Sequence, residues 1–290
     1  MTRPAPRPAS PGQGARLRRR AAAVLMAAAF ACPGAAAAQD PARDRWDAAA
    51  WGPEAAARVG PENCVPAPPP AAAACYGGAV RRYGHDVLGP TPEWSRILLR
   101  FSSGETAFAE LPAPAVFEDL APRPLPLPDG RLALVAVESA PGVGARLALW
   151  VLERAANGTP RLARLAAAPP IGRGFRWLAP AGWGDLDGDG AVEIAWVETP
   201  HLRGILRVFR LQGDALVPVA ARAGFSNHRI GEDRIAGAVA PCGDGAALIL
   251  PDLSHERVMR VRLRNDSLIS EPYVPGSGTP SRDCTETAAR

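Results

Sequence analysis

The chain has 290 residues, with 33 basic and 29 acidic side chains. Six of the basic residues and none of the acidic ones precede Gln39, so the rest of the chain carries 27 basic against 29 acidic residues. The positive charge therefore belongs to the amino-terminal segment, and the main argument for a nucleic-acid-binding protein is lost.

The amino-terminal segment is predicted to be a secretory signal peptide. Residues 16–20 are basic, residues 21–31 are apolar, and small residues follow as far as Ala38. The apolar run is too short for a membrane span of about 20 residues. Cys32 could suggest a lipid anchor, but Phe30-Ala31-Cys32-Pro33 is a poor attachment sequence. We expect cleavage after Ala38 and a bacterial protein that is periplasmic or secreted, with no membrane span in the mature chain.

The cysteines agree with export to an oxidising compartment. Four of them, an even number, remain after the predicted cleavage site and allow three disulfide connectivities. The favoured pairs, each bracketing a compact piece of chain, are Cys64–Cys75 and Cys242–Cys284. A thiol enzyme is disfavoured because there is no CxxC motif and no recognisable nucleophile motif.

The remaining chain predicts an all-β fold after an irregular lead-in at residues 39–82, where prolines interrupt any regular pattern. From residue 83, short apolar runs are separated by Gly, Pro, Asp and Asn, which is typical of strands joined by turns. Several runs are continuously apolar, as expected for strands covered on both faces. The strand-length runs are residues 97–101, 132–137, 147–152, 193–197, 205–211, 216–219, 246–250 and 258–263.

Internal repeats narrow the prediction to a small β-propeller. Residues 117–122 resemble residues 175–180, which lie 58 positions later, and each segment leads to an Asp-Gly pair and two strands. A third copy spans residues 235–263, and a fourth without the Asp-Gly loop spans residues 85–111. Units of this size bury their faces against one another in a propeller of about four blades. We predict that residues 83–273 form it and that residues 274–290 are a tail containing Cys284. A solenoid or a sandwich is the alternative.

One Asp-Gly loop carries the pattern of a calcium site. In residues 184–193, carboxylates occupy the first, third, fifth and ninth ligand positions, and a backbone carbonyl occupies the seventh. This oxygen-rich shell is the one that calcium prefers. The predicted ligands are the side chains of Asp185, Asp187, Asp189 and Glu193 and the carbonyl of Ala191. A plain turn without metal is the alternative.

These residues carry a resemblance to a known family. Residues 182–190, followed by Glu193-Ile194-Ala195, resemble the FG-GAP/VCBS repeat, in which calcium loops lie in propeller blades. The resemblance covers residues 83–265, and it implies a propeller and bound calcium. It implies no particular function, because proteins of this type have many unrelated partners.

The other two copies depart from the loop pattern. At Asp129 the loop is two residues shorter and has Pro126-Leu127-Pro128 where the first carboxylates would lie. At Asp244, Cys242 and Ala240 occupy the positions of Asp187 and Asp185. The sequence therefore predicts a single competent cation site.

The function predicted from the sequence is an exported binding or scaffold module whose partner is an unknown protein or glycan. HExxH, GxSxG and phosphate-loop motifs are absent from the sequence. The alternative is a hydrolase or lyase that uses acids with His85 or His228 at the channel mouth. A carboxylate–histidine contact of about 3 Å would favour the enzyme, and fully paired Arg–acid bridges would favour the module. The candidate channel residues are Glu118, Asp119, Arg173, Arg176, His228, Arg229, Glu232, Asp233 and Arg234.

Overall fold

A computed structural model describes residues 63–90, 92–243 and 245–273. Over these residues the chain is all-β, as predicted, and forms three antiparallel sheets without a helix. The described part accordingly contains no helix that could cross a membrane. The strands are β1 (Cys64–Pro66), β2 (Ala71–Val80), β3 (Glu93–Phe101), β4 (Thr106–Glu110), β5 (Val116–Phe117), β6 (Arg123–Pro126), β7 (Leu132–Ala140), β8 (Gly144–Arg154), β9 (Pro160–Ala167), β10 (Leu178–Gly184), β11 (Glu193–Glu198), β12 (Ile205–Gln212), β13 (Ala215–Ala223), β14 (Ala238–Cys242), β15 (Gly245–Pro251), β16 (Val258–Arg264) and β17 (Ser267–Pro272).

The strands pair in chain order as four antiparallel meanders. We call them meander 1 (β1–β4), meander 2 (β6–β9), meander 3 (β10–β13) and meander 4 (β14–β17). The short strand β5 pairs with both β3 and β7, and it joins the first two meanders into one nine-stranded sheet. Asp129 and Asp189, with the glycines that follow them, lie in the first hairpins of meanders 2 and 3, and Gly245 begins β15 of meander 4.

Hydrophobic clusters lie between successive meanders. Alternate residues of β7 face opposite ways: Val135 and Val137 pack towards meander 3, and Leu134 and Ala136 pack towards meander 1. A third cluster lies between meanders 3 and 4. Burial on both faces explains the continuously apolar runs. Within the described residues no such cluster joins meander 4 to meander 1, so the packing establishes a succession of meanders rather than a closed ring.

Strand β10 illustrates what the sequence did not predict. Its sequence, Leu-Ala-Pro-Ala-Gly-Trp-Gly, has low strand propensity, yet all seven residues are buried. A Cβ added at Gly182 would lie 2.5 Å from Val239 Cγ2 and 2.8 Å from Leu248 Cδ2. The glycine therefore allows meander 4 to approach closely, and tertiary packing overrides the weak local preference.

The predicted irregular lead-in is wrong over its described part. Residues 71–80 form a ten-residue strand that pairs with β1 on one side and β3 on the other. The small residues that weaken its sequence pattern permit close packing, since a Cβ at Gly77 would lie 2.9 Å from Leu98 Cδ1. Meander 1 consequently begins near Cys64 rather than at residue 83.

The predicted disulfide between Cys64 and Cys75 is confirmed, and the two residues are direct partners in the β1–β2 register. Cys242 is also disulfide-bonded. Cys284, the predicted signal peptide at 1–38 and the tail at 274–290 all lie outside the described part of the chain.

Candidate functional site

The first candidate site is the acidic loop, residues 184–193, which connects β10 to β11. The Asp185 carboxylate accepts hydrogen bonds from the backbone N–H groups of Gly188 (2.6 Å) and Gly190 (3.0 Å) and so folds the loop back on itself. Both glycines have φ near +87°, at +88° and +86°, a conformation that other residues adopt at a cost. The glycine spacing therefore serves the turn.

Three carboxylates of the acidic loop converge. Ligand oxygens of Asp185, Asp187 and Glu193 lie within 4.8 Å of one another, so the group could hold a metal ion. Glu193 is fully buried, and its Oε2 accepts a hydrogen bond from Leu186 N (2.9 Å). Burial raises the pKa of Glu193 to about 7, against the opposing effect of Arg210. Asp189 is exposed and outside this group, and its Oδ1 accepts a hydrogen bond from Ala191 N (2.8 Å).

Arg210 occupies the acidic loop together with these carboxylates. It lies opposite Glu193 in the β11–β12 register, its Nε donates to Glu193 Oε1, and its Nη2 donates to Asp187 Oδ2. The same Nη2 is 3.4 Å from Asp189 Oδ2. These acids raise the pKa of Arg210, and one guanidinium faces a loop of four carboxyl groups. Arg210 carries no signal in the loop pattern, and only the hairpin register reveals its position opposite Glu193.

The acidic loop is also a contact between meanders 3 and 4. A Cβ on Gly245 would lie 2.8 Å from Gly188 N and 2.9 Å from Leu186 O, so β15 packs directly on the loop. By contrast, Asp129 in the shorter copy forms a local turn by accepting hydrogen bonds from Arg131 N (3.0 Å) and Arg131 Nε (2.8 Å). Order in the acidic loop is therefore coupled to packing between meanders, whereas order at Asp129 is local.

The second candidate site is an open cleft, here called the histidine cleft, with about 240 Å³ of empty space that is open to solvent. Three connections form it: β2–β3, β9–β10 and β11–β12. None of the residues that line it is acidic. They are His85, Val87, Phe175, Arg176, Trp177, Thr199, Pro200, His201 and Leu202.

His85 is held by a buried carboxylate. Its Nδ1 lies 2.7 Å from Glu118 Oε1, and the other oxygen of Glu118 accepts a hydrogen bond from the Ser139 hydroxyl. Burial raises the pKa of Glu118, while His85 and Ser139 act in the opposite direction. With the carboxylate ionised, Nδ1 donates its proton to Glu118, and in the neutral form of the ring Nε2 keeps its lone pair. Within the described residues Nε2 has no hydrogen-bond partner.

A chain of hydrogen bonds fixes the second imidazole of the cleft. His228 Nε2 lies 2.9 Å from the Glu232 carbonyl oxygen, which can only accept, so this nitrogen carries the proton. His228 Nδ1 must then accept from His201 Nε2, at 2.8 Å. His201 consequently presents an unprotonated Nδ1. Burial, followed by the charge of His228, lowers the pKa of His201 to about 4, so the ring is neutral near pH 7.

Trp177 joins the two histidine arrangements. Its Nε1 donates a hydrogen bond to the Glu118 carbonyl oxygen (2.8 Å), beside the carboxylate that holds His85. Its ring meets His228 edge to face, with centroids 4.9 Å apart, and stacks with His201 at 6.2 Å. Trp177 lies in a repeat motif of the sequence, and that motif gives no sign of this role.

Two residues of the histidine cleft have a strained backbone. Phe175 has φ = +54° and Thr199 has φ = +48°, which are uncommon for an aromatic and a β-branched residue. The Thr199 Oγ1 is buried, with no hydrogen-bond partner in the described part of the chain. Phe175 N donates to the Tyr83 hydroxyl oxygen (3.0 Å), and the two rings stack. Strain of this kind concentrates at functional sites.

The structure brings together some of the predicted channel residues but not all. Glu118 and His228 both contact Trp177. Asp119 is buried and paired with Arg123. Arg176 lines the histidine cleft, and Glu232 pairs with Arg234 at 3.7 Å. The remaining three, Arg173, Arg229 and Asp233, are exposed.

No family model matches the chain, and no curated protein matches it either. The two sites are therefore the basis on which a function can be inferred.

Proposed function

We propose that this protein is an exported binding module, built as a small β-propeller of FG-GAP/VCBS type and stabilised by calcium. The observation that carries the proposal is the histidine cleft. It is an open, acid-free pocket with two proton-accepting ring nitrogens and a strained backbone, formed by connections that are far apart in sequence. Pockets of this kind, with a few fixed polar groups among apolar walls, bind small groups of a ligand.

The arrangement of the four meanders supports the proposed propeller fold. Four meanders follow one another in chain order with apolar layers between them, and β10 packs against β14 while β13 packs against β17. This is the relation of neighbouring blades, with first strands meeting on one side and last strands on the other. Closure of the ring would place the connections that form the histidine cleft near the central channel.

The geometry of the acidic loop supports the proposal that it binds calcium. Its convergent oxygens are hard ligands, and an irregular turn of this kind suits calcium, whose coordination geometry is less demanding than that of magnesium. Bound calcium would neutralise carboxylates at the loop on which β15 packs, so its role is to stabilise meander 3 against meander 4. In this proposal calcium supports the module and does not contact the ligand.

Capture from periplasmic extract or from a glycan array tests the binding function. We expect one protein or glycan to bind the wild-type chain and to be lost with Phe175→Ala, which removes an exposed side chain from the cleft. Phe108→Ala, an equally exposed aromatic on β4, is the matched control and should retain binding. Equal retention by both variants would contradict binding at the cleft.

A hydrolase is the second candidate function, because the His85–Glu118 contact of 2.7 Å meets the criterion set for an enzyme. His85 Nε2 would take a proton from water while the hydroxide attacks an acyl carbon, and the proton would pass to the leaving alcohol. Hydrolysis of p-nitrophenyl acetate by the wild type but not by His85→Asn would support this function. Turnover that is equal in both proteins, or indistinguishable from buffer, would contradict it.

A further inference from the structure

The histidine cleft has polar groups of a restricted kind. His85 Nε2 and His201 Nδ1 are both proton acceptors in the hydrogen-bonding pattern described above, because the other nitrogen of each ring already donates. The Thr199 hydroxyl is a further polar group with no hydrogen-bond partner in the described part of the chain. Arg176 also lines the cleft, and its Nη1 donates to the Phe175 carbonyl oxygen (3.0 Å). The two ring nitrogens favour a ligand that brings hydrogen-bond donors.

The walls of the histidine cleft are apolar and suited to a flat ring. Phe175 is 52% exposed and Leu202 is 57% exposed, and both lie beside Val87 and Pro200. Such exposed large apolar side chains are informative when they are grouped at one pocket. The Phe175 ring is supported from behind by Tyr83, at a centroid separation of 5.2 Å, and its backbone is strained, so its position is imposed by the fold.

Polarity narrows the ligand. The cleft is open to solvent, so a ligand would lie against its walls rather than be enclosed by them. A monosaccharide would place several hydroxyl groups against mainly apolar walls, and hydroxyls that are buried without a partner are costly. One or two hydroxyls on an aromatic ring would match the two acceptors and the apolar walls.

We propose that the histidine cleft binds a phenolic group, with its hydroxyl donating to His85 or His201 and its ring packed on Phe175. This inference rests on the proposed binding function and assigns its ligand class. A phenolic small molecule and a tyrosine side chain of a partner protein share this chemistry. Free phenol and the blocked amino acid N-acetyl-tyrosine amide therefore serve as separate probes.

The central experiment compares phenol with anisole, which has the same ring but no donor. Binding to the full mature chain is followed by titration, and the imidazole nitrogens are followed by long-range ¹H–¹⁵N NMR. We expect phenol to bind about tenfold more tightly than anisole, the effect of one hydrogen bond. The resonances of His85 Nε2 or His201 Nδ1 should shift with phenol alone. Catechol, with two donors, should bind more tightly than phenol.

Variants identify the site. His85→Phe should remove or weaken the preference for phenol over anisole, and Phe175→Ala should weaken binding of both probes. Phe108→Ala should change neither. Because His85→Phe leaves Glu118 without its partner and could disturb folding, Phe175→Ala provides the independent variant at an exposed position. Tighter binding of N-acetyl-tyrosine amide than of phenol would favour a protein partner, whereas the reverse order would favour a free phenolic compound.

The proposal is overturned if phenol and anisole bind equally, or if phenol binding is unchanged in both cleft variants. It is also overturned if benzoate binds more tightly than phenol. In these cases the binding module itself still stands when a captured protein or glycan is lost with Phe175→Ala. Failure of that capture together with unaltered phenol binding in the variants would remove both proposals.

Discussion

The acidic loop and the histidine cleft differ in the charged groups that they gather. The loop gathers four carboxyl groups within ten residues, and Arg210 pairs with three of them, so like charges remain close together. In the described part of the chain, Arg264 contacts the loop only at the Asp187 carbonyl oxygen. The cleft has no acid in its lining, and hydrogen bonds to Glu118 and the Glu232 carbonyl determine where the protons of its histidines lie. A cation should therefore control the stability of the loop, whereas protonation should control the cleft.

The largest expected effect is the loss of stability when the histidine cleft is disrupted and the acidic loop is left unchanged. Trp177 is almost fully buried and contacts both histidine arrangements. Trp177→Ala should lower the free energy of unfolding by about 3–5 kcal/mol, the range for truncating a buried aromatic. Urea unfolding measures this loss. Trp177→Phe is the control and should lose less, and a loss below about 1 kcal/mol for Trp177→Ala would contradict the central role of this residue.

Calcium should have the next largest effect and should act on the loop alone. A hundredfold excess of calcium over Kd should stabilise the protein by about 2.7 kcal/mol, because the ion binds only the folded loop. For a chain of this size that is a rise in Tm of about 5–10 °C. Magnesium should substitute poorly, since it requires tighter octahedral geometry.

Two matched variants test whether the acidic loop is the site of the calcium effect on Tm. Asp187→Ala should abolish the shift in Tm, and Asp129→Ala, in the turn of the shorter copy, should leave it intact. If a chelator leaves the Tm of the wild-type protein unchanged, the acidic loop is only a turn and the calcium assignment is wrong.

Substitution of Arg210 tests whether ion pairing stabilises the acidic loop in the absence of calcium. Arg210→Gln should lower the Tm without metal, because Glu193 and Asp187 lose their guanidinium partner. The same change should enlarge the calcium-dependent rise in Tm, since one competing positive charge is gone, by the equivalent of about 1–2 kcal/mol. Calorimetry with and without calcium gives both quantities. A calcium effect that shrinks in Arg210→Gln would show that the arginine assists the cation instead of competing with it.

The two sites also differ in how much of them could be predicted from sequence. The acidic loop is contiguous, so spacing alone identified Asp185, Asp187 and Glu193. Its missing member, Arg210, lies across a hairpin, and its position follows from register. The eight strand-length runs all fall within observed strands. Those that are continuously apolar, such as the run in β7, are buried on both faces, which leaves a strong local signal.

The histidine cleft could not be predicted in the same way. His85 and His201 are 116 positions apart, and their approach to the same cleft depends on the packing order of the meanders. The positive φ of Thr199 is imposed by surrounding structure against the preference of the residue. Strands β2 and β10 were missed for a related reason, because alanine, glycine and proline form strands there only through tertiary contacts.

The smallest expected effect is a dependence on pH that belongs to the cleft. Burial lowers the pKa of His201 to about 4, and the charges of His228, His85 and His255 act in the same direction. The unfolded chain, with a histidine pKa near 6.5, therefore binds more protons than the folded chain between pH 6.5 and 4. Stability from neutral His201 is fully present above about pH 6.5 and is lost as the pH falls towards 4. Because the ring is partly exposed, the loss is about 1–2 kcal/mol.

Other groups oppose this change, so a difference between two proteins is needed. Glu118, Asp119 and Glu193 have raised pKa values, and protonation of each favours the folded state as the pH falls. His201→Gln leaves these acids in place and keeps an N–H that can donate to His228 Nδ1. The free energy of unfolding of the wild type should therefore fall more than that of His201→Gln between pH 7.5 and pH 5. Parallel pH profiles for the two proteins would mean that His201 is protonated as readily in the folded chain as in the unfolded one, and the neutral-imidazole description of the cleft would fail.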